Sequence, residues 1–325
     1  MLSAMPIPPF SVMSVLYPFF RRAATVSYGS FFCDYTMGVY GSATIKPLLF
    51  NIDLTLSEIE QMQVYVIYQN PSVTVSRNNA ITPIQKYLGT VSSLWGTMAY
   101  NTTYSTYTTH QSSQTNECDI FQAAYYYFNG AHEFSNLIAS SEYGIIIHAS
   151  TEVDEEHNAK TTFPGNEPKI EVFNGFENSS DCIGSVLHEL GHAHHFYLNE
   201  LFNNSVTSII KESFASYVGW YLGELYYFSK GYVLPFAGFP VNDQNRQDWS
   251  PNTLDHYDYS PLFVDLTDDY NQTAINDPIS GVPVSVINNM IACASNVAAC
   301  KTYLTSYVGT YYTATELNSY FAQYE

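Results

Sequence analysis

The chain has 325 residues, 46% of them hydrophobic, which is enough to bury the core of one large domain or of two modest ones. Its 30 acidic residues outnumber its 11 Lys and Arg, and the net charge of −19 argues against nucleic acid or an anionic membrane surface as a partner. Charged residues make up only 13% of the chain while Tyr occurs 29 times, a composition that favours an extracellular or cell-surface protein.

The N-terminal segment, residues 1–24, is apolar and contains prolines, and Arg21 and Arg22 follow its apolar run. A secretory signal peptide carries its positive charge before the apolar run. The segment is therefore interpreted either as an atypical leader or as an ordinary apolar stretch. No later stretch is long and apolar enough to span a bilayer.

Two regions of different pattern follow. Short alternating runs with β-branched residues predict a β-rich N-terminal domain over residues 25–110. A Ser/Thr/Asn-rich loop at 99–117 then marks the start of a second domain, residues 111–325. In that domain the sequence predicts strands at 143–150 and 169–175, separated by a polar loop. It also predicts four helices: one over 117–139, one capped by Ser179 or Ser180, one over 206–228, and one with Ser260 as N-cap and Pro261 at N1. A capping box at 313–316 opens a final helix, and the whole pattern predicts an α+β fold.

The sequence "SVLHELGHAHHFY" (185–197) places His188, Glu189 and His192 in an H-E-x-x-H pattern on one predicted helix. Residues four apart lie on the same helix face, so the two imidazoles can reach a single metal ion. Glu189 is rotated by about 100° from His188 and can hold the water that the metal activates, without ligating the metal. The pattern therefore predicts a catalytic Zn²⁺ site.

A catalytic zinc usually takes a third protein ligand. His195 lies on the same face, but a straight helix separates it from His188 by about 10 Å, too far to share one ion. Glu212 on the next predicted helix is the better candidate, because small residues would let the two helices approach closely. These small residues are Gly184 and Gly191 on the first helix, and Ser208, Ala215, Ser216 and Gly219 on the second. His194 and His195 are expected to support the site, face substrate or lie in solvent.

The run "HELGH", a gap of nineteen residues and then "ESFASY" (212–217) resembles the gluzincin group of zinc metallopeptidases, which includes thermolysin-like enzymes and an aminopeptidase branch. The resemblance covers residues 140–230 in its motifs and 110–325 in architecture. It implies a zincin-like catalytic domain with a small mixed sheet, an active-site helix, a glutamate helix and a helical C-terminal part.

The resemblance also implies roles for individual residues. His188, His192 and Glu212 would bind Zn²⁺, and Glu189 would act as general base and acid in the hydrolysis of peptide bonds. The strand at 169–175 would be the sheet edge that holds a peptide substrate by strand addition.

The chain departs from the thermolysin-like pattern at Ser216, where those enzymes have an aspartate that orients the first histidine. A hydroxyl can accept the imidazole N–H, but it raises the basicity of the ligand less. A donor that stabilises the transition state is expected in the loop 254–263, where His256 and Tyr257 are the candidates and loop packing is the alternative.

Two acidic runs, 152–157 and 265–271, offer the oxygen ligands that Ca²⁺ prefers, although neither matches an EF-hand loop. For the second run, a solvated helix face is the alternative interpretation.

Two other functions fit the sequence. One is a non-enzymatic secreted or surface binding protein that uses the zincin-like part as a scaffold, and the other is a zinc hydrolase of a non-peptide amide. Glu189 argues against the first, because two histidines and a glutamate would hold zinc without it. The sequence favours a monomer that acts on a peptide or protein substrate.

Overall fold

The structure is a computed structural model that describes seventeen stretches of the chain. They are residues 10–14, 16–18, 29–34, 42–46, 61–69, 72–77, 80–92, 107–108, 117–130, 134, 145–154, 157–164, 167–176, 179–199, 202–229, 260–267 and 278–324. Helices and a small mixed sheet form its core, so the described part of the chain is α+β, as the sequence predicts.

Before residue 110 the described elements are strands. They are β1 (Phe10–Ser14), β2 (Leu16–Pro18), β3 (Gly29–Asp34), β4 (Ser42–Lys46), β5 (Gln61–Ile67), β6 (Val73–Arg77), β7 (Gln85–Ser92) and β8 (Tyr107–Thr108). Seven of them form two antiparallel sheets, in the orders β1-β3-β4-β8 and β2-β5-β7. A separate domain over residues 25–110 stays a prediction.

The third sheet combines β6 with β9 (Ile145–Ala149), β10 (Ala159–Thr162) and β11 (Lys169–Val172), in the order β10-β11-β9-β6. β6, β9 and β11 are parallel, and β10 runs antiparallel to β11. Alternate apolar residues of the parallel strands are fully or nearly fully buried: Val73, Val75, Ile145, Ile147, Ile170 and Val172. β6 therefore belongs to the sheet of the second region, although it lies within residues 25–110.

One sequence prediction about this sheet is wrong. The strand predicted at 169–175 is not the sheet edge, because β11 lies between β9 and β10. The edge strand is β10, which falls in the segment predicted as a polar loop. Its sequence, Ala-Lys-Thr-Thr, lacks an apolar alternation because three of its residues are only half-buried and Thr162 is exposed.

The helices are α1 (Glu117–Asn129), α2 (Ser179–Leu198), α3 (Ser208–Ser229), α4 (Val264–Thr267), α5 (Val284–Ile291), α6 (Val297–Leu304) and α7 (Ala314–Phe321). The predicted helices α2 and α3 are confirmed, but Ser179 and Ser180 are the first two residues of α2, and the position before them lies outside the described residues. The capping box of α7 is confirmed, because Thr313 Oγ1 accepts a hydrogen bond from the Glu316 backbone N–H. α1 ends ten residues earlier than predicted, at the helix-terminating pair Asn129-Gly130.

No helix in the described ranges is both long and apolar enough to cross a bilayer.

Ser260 does not cap a helix, which corrects a second prediction. α4 begins at Val264 instead. The Ser260 hydroxyl is buried and lies 2.6 Å from the Ser213 hydroxyl of α3. It also accepts a hydrogen bond of 3.4 Å from the Leu262 backbone N–H, so the one hydroxyl serves both the local turn and the contact with α3.

Two glycines bring α2 and α3 together. A Cβ atom added at Gly191 would lie 2.8 Å from Ala215 Cα and 3.0 Å from Val218 Cβ. One added at Gly219 would lie 3.2 Å from the Gly184 carbonyl oxygen and 3.3 Å from the His188 nitrogen. The predicted close approach of the two helices is thus confirmed, although Ser208 is exposed and takes no part in it.

We expect Gly191→Ala to destabilise the protein, although alanine favours an exposed helix by about 1 kcal/mol over glycine. The added Cβ would press on the backbone of α3, and overpacking of this kind costs about 1–3 kcal/mol. Urea denaturation measures the effect. Gly219→Ala is the matched comparison and should cost less, because its contacts are longer. A Gly191→Ala variant as stable as the wild type would contradict the packing described.

Candidate metal centre

Two helices supply the candidate ligands. His188 and His192 lie one turn apart on α2, with ring centroids 4.8 Å apart and ring planes at 86°. Glu212 lies in the second turn of α3. The contacts at Gly191 and Gly219 hold the two helices close enough for all three side chains to converge.

The two separations between Glu212 and the imidazole nitrogens match those of ligands on one zinc ion. Glu212 Oε2 lies 3.4 Å from His188 Nε2 and 3.2 Å from His192 Nε2, and all three atoms lie within 4.8 Å of one another. Two ligands bound tetrahedrally to Zn²⁺ at about 2.0–2.1 Å are roughly 3.3 Å apart. Within the described ranges this is the only group of three or more His, Cys, Asp or Glu side chains with such a geometry.

The charges of these groups favour a cation. Burial raises the pKa of Glu212, but the adjacent His192 and His188 outweigh burial and hold that pKa well below its usual range. Burial likewise lowers the pKa of His192, and the Glu212 carboxylate reverses the effect so that the net pKa is raised. The carboxylate therefore attracts positive charge to this point, as a Zn²⁺ ligand must.

Glu189 follows His188 on α2, and its carboxylate is near enough to His192 to contribute, after burial and Glu212, to the pKa of that imidazole. The residue is 6% exposed, and its Oε2 has no hydrogen-bond partner among the described residues. A buried carboxylate oxygen without a protein partner costs free energy unless water or substrate satisfies it. The backbone carbonyl of Glu189 accepts a hydrogen bond of 3.2 Å from the Thr161 hydroxyl, which fixes the edge strand β10 against α2.

Ser216 lies where the sequence analysis places it, one turn after Glu212. Its hydroxyl is 3.5 Å from His188 Nδ1. At this distance the hydrogen bond is weak, so the hydroxyl orients the imidazole less firmly than a carboxylate at normal hydrogen-bond distance would.

His194 and His195 are neither solvent-exposed nor substrate-facing, because both are completely buried. The Tyr127 hydroxyl on α1 forms a hydrogen bond of 2.5 Å with His194 Nδ1, and the His195 ring packs against Phe202 and Phe214. Both histidines are buried at the C-terminal end of α2, which the sequence of the helix end did not indicate.

The remaining predicted residues have different outcomes. His256 and Tyr257 lie outside the described residues, so their role as transition-state donors stays a prediction. Asp265, in the second acidic run, is fully buried and accepts a hydrogen bond from the Tyr324 hydroxyl. Asp265 is therefore not part of a solvated helix face. Ca²⁺ binding by either acidic run, 152–157 or 265–271, stays a prediction.

The sequence analysis missed Thr161 as a residue of the site. Thr161 and Thr162 are adjacent β-branched residues, and this pair was the available signal for a strand. Without apolar neighbours it was too weak to separate β10 from a polar loop.

Comparison with models of known protein families, with curated proteins and with solved structures finds no match to this chain. The chemical interpretation therefore depends on the geometry of the four residues themselves. Two imidazoles and a carboxylate can hold one zinc ion, and the fourth residue, Glu189, has a carboxylate oxygen without a hydrogen-bond partner among the described residues.

Glu212→Gln should lower the affinity for Zn²⁺ by more than about 100-fold. Loss of a residue that only hydrogen-bonds to a metal ligand costs about 10–100-fold in affinity, and Glu212 is itself a proposed ligand. Competition with a zinc-binding dye measures the affinity. Glu224→Gln, a half-buried glutamate further along α3, is the control and should leave the affinity unchanged. Equal affinities for the Glu212 and Glu224 variants would rule out Glu212 as a ligand.

The buried His195 should make the metal-free protein less stable in acid. Burial, with nearby His192, His194 and Lys211, lowers the pKa of His195 to about 3. The unfolded chain takes up this proton below about pH 6.5, so stability is complete above that pH and falls as the pH drops toward 3. In His195→Leu the free energy of unfolding should fall less steeply with decreasing pH, by up to about 1.4 kcal/mol per pH unit. Urea denaturation at a series of pH values measures this slope. Identical pH slopes for both proteins would contradict a neutral buried His195.

Proposed function

We propose that this chain is a zinc-dependent peptidase of the gluzincin type. The observation that carries the proposal is the convergence of His188 Nε2, His192 Nε2 and Glu212 Oε2 close to Glu189, whose Oε2 has no hydrogen-bond partner among the described residues. A purely structural zinc site normally has four protein ligands, whereas three ligands leave a position open for chemistry. The side chains of His188 and Glu212 are 16% and 25% exposed, so the site is open to solvent.

Each residue has a defined task in this proposal. Bound zinc polarises the scissile carbonyl and makes water more acidic. Glu189 removes a proton from the attacking water as the oxygen adds to the carbonyl carbon. The same carboxyl group then gives that proton to the leaving nitrogen, so the C–N bond breaks to give an acid and an amine. Its buried position keeps the group close to the reacting atoms without a competing protein partner.

The peptide backbone then pairs with the outer edge of β10, which has no other strand beside it among the described residues. An edge strand offers unpaired N–H and C=O groups, which is the basis of strand addition. The bond from Thr161 to the Glu189 carbonyl supports this placement, because it ties β10 directly to the turn of α2 that carries the proposed base. The acidic, tyrosine-rich composition agrees with an extracellular site of action.

Glu189→Gln should keep zinc and lose activity. The amide retains the shape of the side chain but cannot accept the proton, and general-base catalysis contributes about 10²–10⁴-fold to such reactions. Zinc content by elemental analysis and the cleavage of unfolded casein by the full chain test both parts. We expect one zinc per chain in both proteins and a fall of at least about 100-fold in the rate.

Glu171→Gln is the matched control, because Glu171 is a half-buried glutamate that forms an ion pair of 3.1 Å with Lys169 on β11. It should cleave as the wild type does. Zinc binding without any cleavage would instead support a non-enzymatic binding protein. Turnover of a cell-wall amide without cleavage of peptides would support the other hydrolase class, and either result would contradict the peptidase proposal.

A further inference from the structure

A row of three tyrosines lies in the C-terminal helical part of the chain. Tyr303 is on α6, Tyr307 ends the short helical turn Thr305–Tyr307 that follows it, and Tyr311 lies in the next turn. Neighbouring ring centroids are 5.9 Å and 6.0 Å apart, with angles of 36° and 30° between the ring planes. Rings in full face-to-face contact would be about 3.5–4 Å apart, so no ring of the tyrosine row covers the whole face of its neighbour.

The tyrosine row is anchored on one side and accessible on the other. Tyr303 and Tyr307 are half-buried and pack against the hydrophobic core. Tyr311 is 37% exposed, and Val308 beside it in the chain is 38% exposed. These two are among the four large hydrophobic side chains that are exposed in the described ranges, so apolar surface is concentrated at this point.

Backbone contacts hold the turn that carries Tyr311. Gly309 has a φ of 86°, in the left-handed region that favours glycine, and its N–H donates a hydrogen bond of 2.7 Å to the Tyr312 carbonyl. The Tyr312 ring is buried, and its hydroxyl donates a hydrogen bond of 2.5 Å to the Leu304 carbonyl at the end of α6. A ring that is held in place in this way loses less conformational entropy when it binds a ligand.

This part of the chain carries almost no charge. Residues 278–324 contain one Lys and one Glu, Lys301 and Glu316, so their formal net charge is zero, against −19 for the whole chain. Residues 302–315, which include the tyrosine row, contain no charged side chain. The surface therefore offers no counter-charge to an ionic partner, and it favours an uncharged ligand.

The hydroxyl groups next to the rings in the chain have already used their protons. Thr302, Thr305 and Ser306 are exposed, and each donates a hydrogen bond of 2.8 Å, 2.8 Å and 2.9 Å, respectively, to a backbone carbonyl of the preceding turn. A Ser or Thr hydroxyl has one proton and two acceptor positions, so these oxygens can still accept hydrogen bonds. A matching ligand must supply donors for the oxygens as well as apolar surface for the rings.

Sugars combine both properties. A pyranose ring has C–H groups on its faces, which pack on aromatic rings, and O–H donors around its rim. A proline-rich peptide also packs on tyrosines, but it offers few donors because proline has no N–H. A second copy of this surface would bring Ser and Thr hydroxyls whose protons are equally committed. The donors required by the surface therefore favour a glycan over both.

We propose that Tyr303, Tyr307 and Tyr311 form a binding site for an uncharged polysaccharide, a chain of neutral hexose or N-acetylhexosamine units. The partly uncovered rings pack on the C–H faces of the sugars, and the neighbouring Ser and Thr oxygens accept hydrogen bonds from the sugar hydroxyls. None of these residues belongs to the metal centre, so the site binds glycan whether or not the chain is a peptidase.

The C-terminal helices connect this site to the helix that carries the metal ligands. Asn199, directly after α2, donates hydrogen bonds of 2.8 Å and 3.1 Å from Nδ2 to the carbonyls of Ile291 and Ala294, at the end of α5. The Asn199 side chain is buried, so this link is shielded from water. A polysaccharide on the tyrosine row would thus hold the metal centre at a glycan-covered surface.

Isothermal titration calorimetry of the full chain tests the site with four uncharged probes: cellohexaose, β-1,4-mannohexaose, chitohexaose and maltohexaose. We expect at least one of them to bind with a Kd below about 1 mM. The Kd should not change between about 0.05 and 0.5 M NaCl, because an uncharged ligand is not subject to ionic screening. It should also be the same with and without zinc, and in Glu189→Gln.

Variants then assign the binding to the tyrosine row. Tyr311→Ala removes the most exposed ring and should weaken binding by about 3- to 10-fold, whereas Tyr311→Phe keeps the ring and should stay within about 2-fold of the wild type. Tyr307→Leu keeps apolar volume against the core, so it should fold and also bind more weakly. Tyr125→Ala is the control, because Tyr125 is a half-buried tyrosine on α1 that packs on Phe121, and it should bind as the wild type does.

Each outcome bears on the polysaccharide site alone. No binding of any hexasaccharide below about 1 mM, or equal weakening by Tyr311→Ala and Tyr125→Ala, would overturn it. Binding of decaproline but of no sugar would identify a peptide site instead, and a dimer that Tyr311→Ala dissociates in sedimentation equilibrium would identify a second copy as the occupant. Sugar binding that Tyr311→Ala weakens and Tyr311→Phe preserves would support the site even if the chain cleaves no peptide.

Discussion

The backbones of α2 and α3 approach so closely that Gly191 has no room for a Cβ atom against Ala215. This contact decides where Glu212 can reach, because a carboxylate on a helix at a more usual distance would not meet two imidazoles of its neighbour at about 3.3 Å. Gly219 makes the second contact, against the backbone of His188. The candidate metal centre thus depends on small residues that carry no chemistry themselves.

The surroundings of the centre are rigid on one side and open on the other. Behind the ligands, Tyr127 and His194 form a buried hydrogen bond among packed aromatic rings. Glu189 Oε2 is also buried, and it is one of several buried polar atoms that have no hydrogen-bond partner among the described residues. It differs from the others in belonging to the residue that follows the candidate ligand His188, on the turn of α2 that Thr161 ties to β10.

Helix periodicity made much of the site predictable from sequence. The four-residue spacing of His188 and His192 and the small residues around Glu212 correctly indicated two close helices, because both signals are local to a helix. The edge strand β10 was not predictable, since its half-exposed polar residues carry no apolar alternation. The burial of His194 and His195 was equally hidden, because it results from rings on other elements such as Phe134 and Phe202.

X-ray absorption at the zinc edge of the zinc-loaded full chain tests the central claim most directly. The account predicts one zinc per chain with two imidazole nitrogens and further light-atom ligands at about 2.0–2.1 Å, and one imidazole fewer in His192→Ala. Sulfur ligands at about 2.3 Å, an unchanged spectrum in His192→Ala, or a chain that binds no zinc would contradict it.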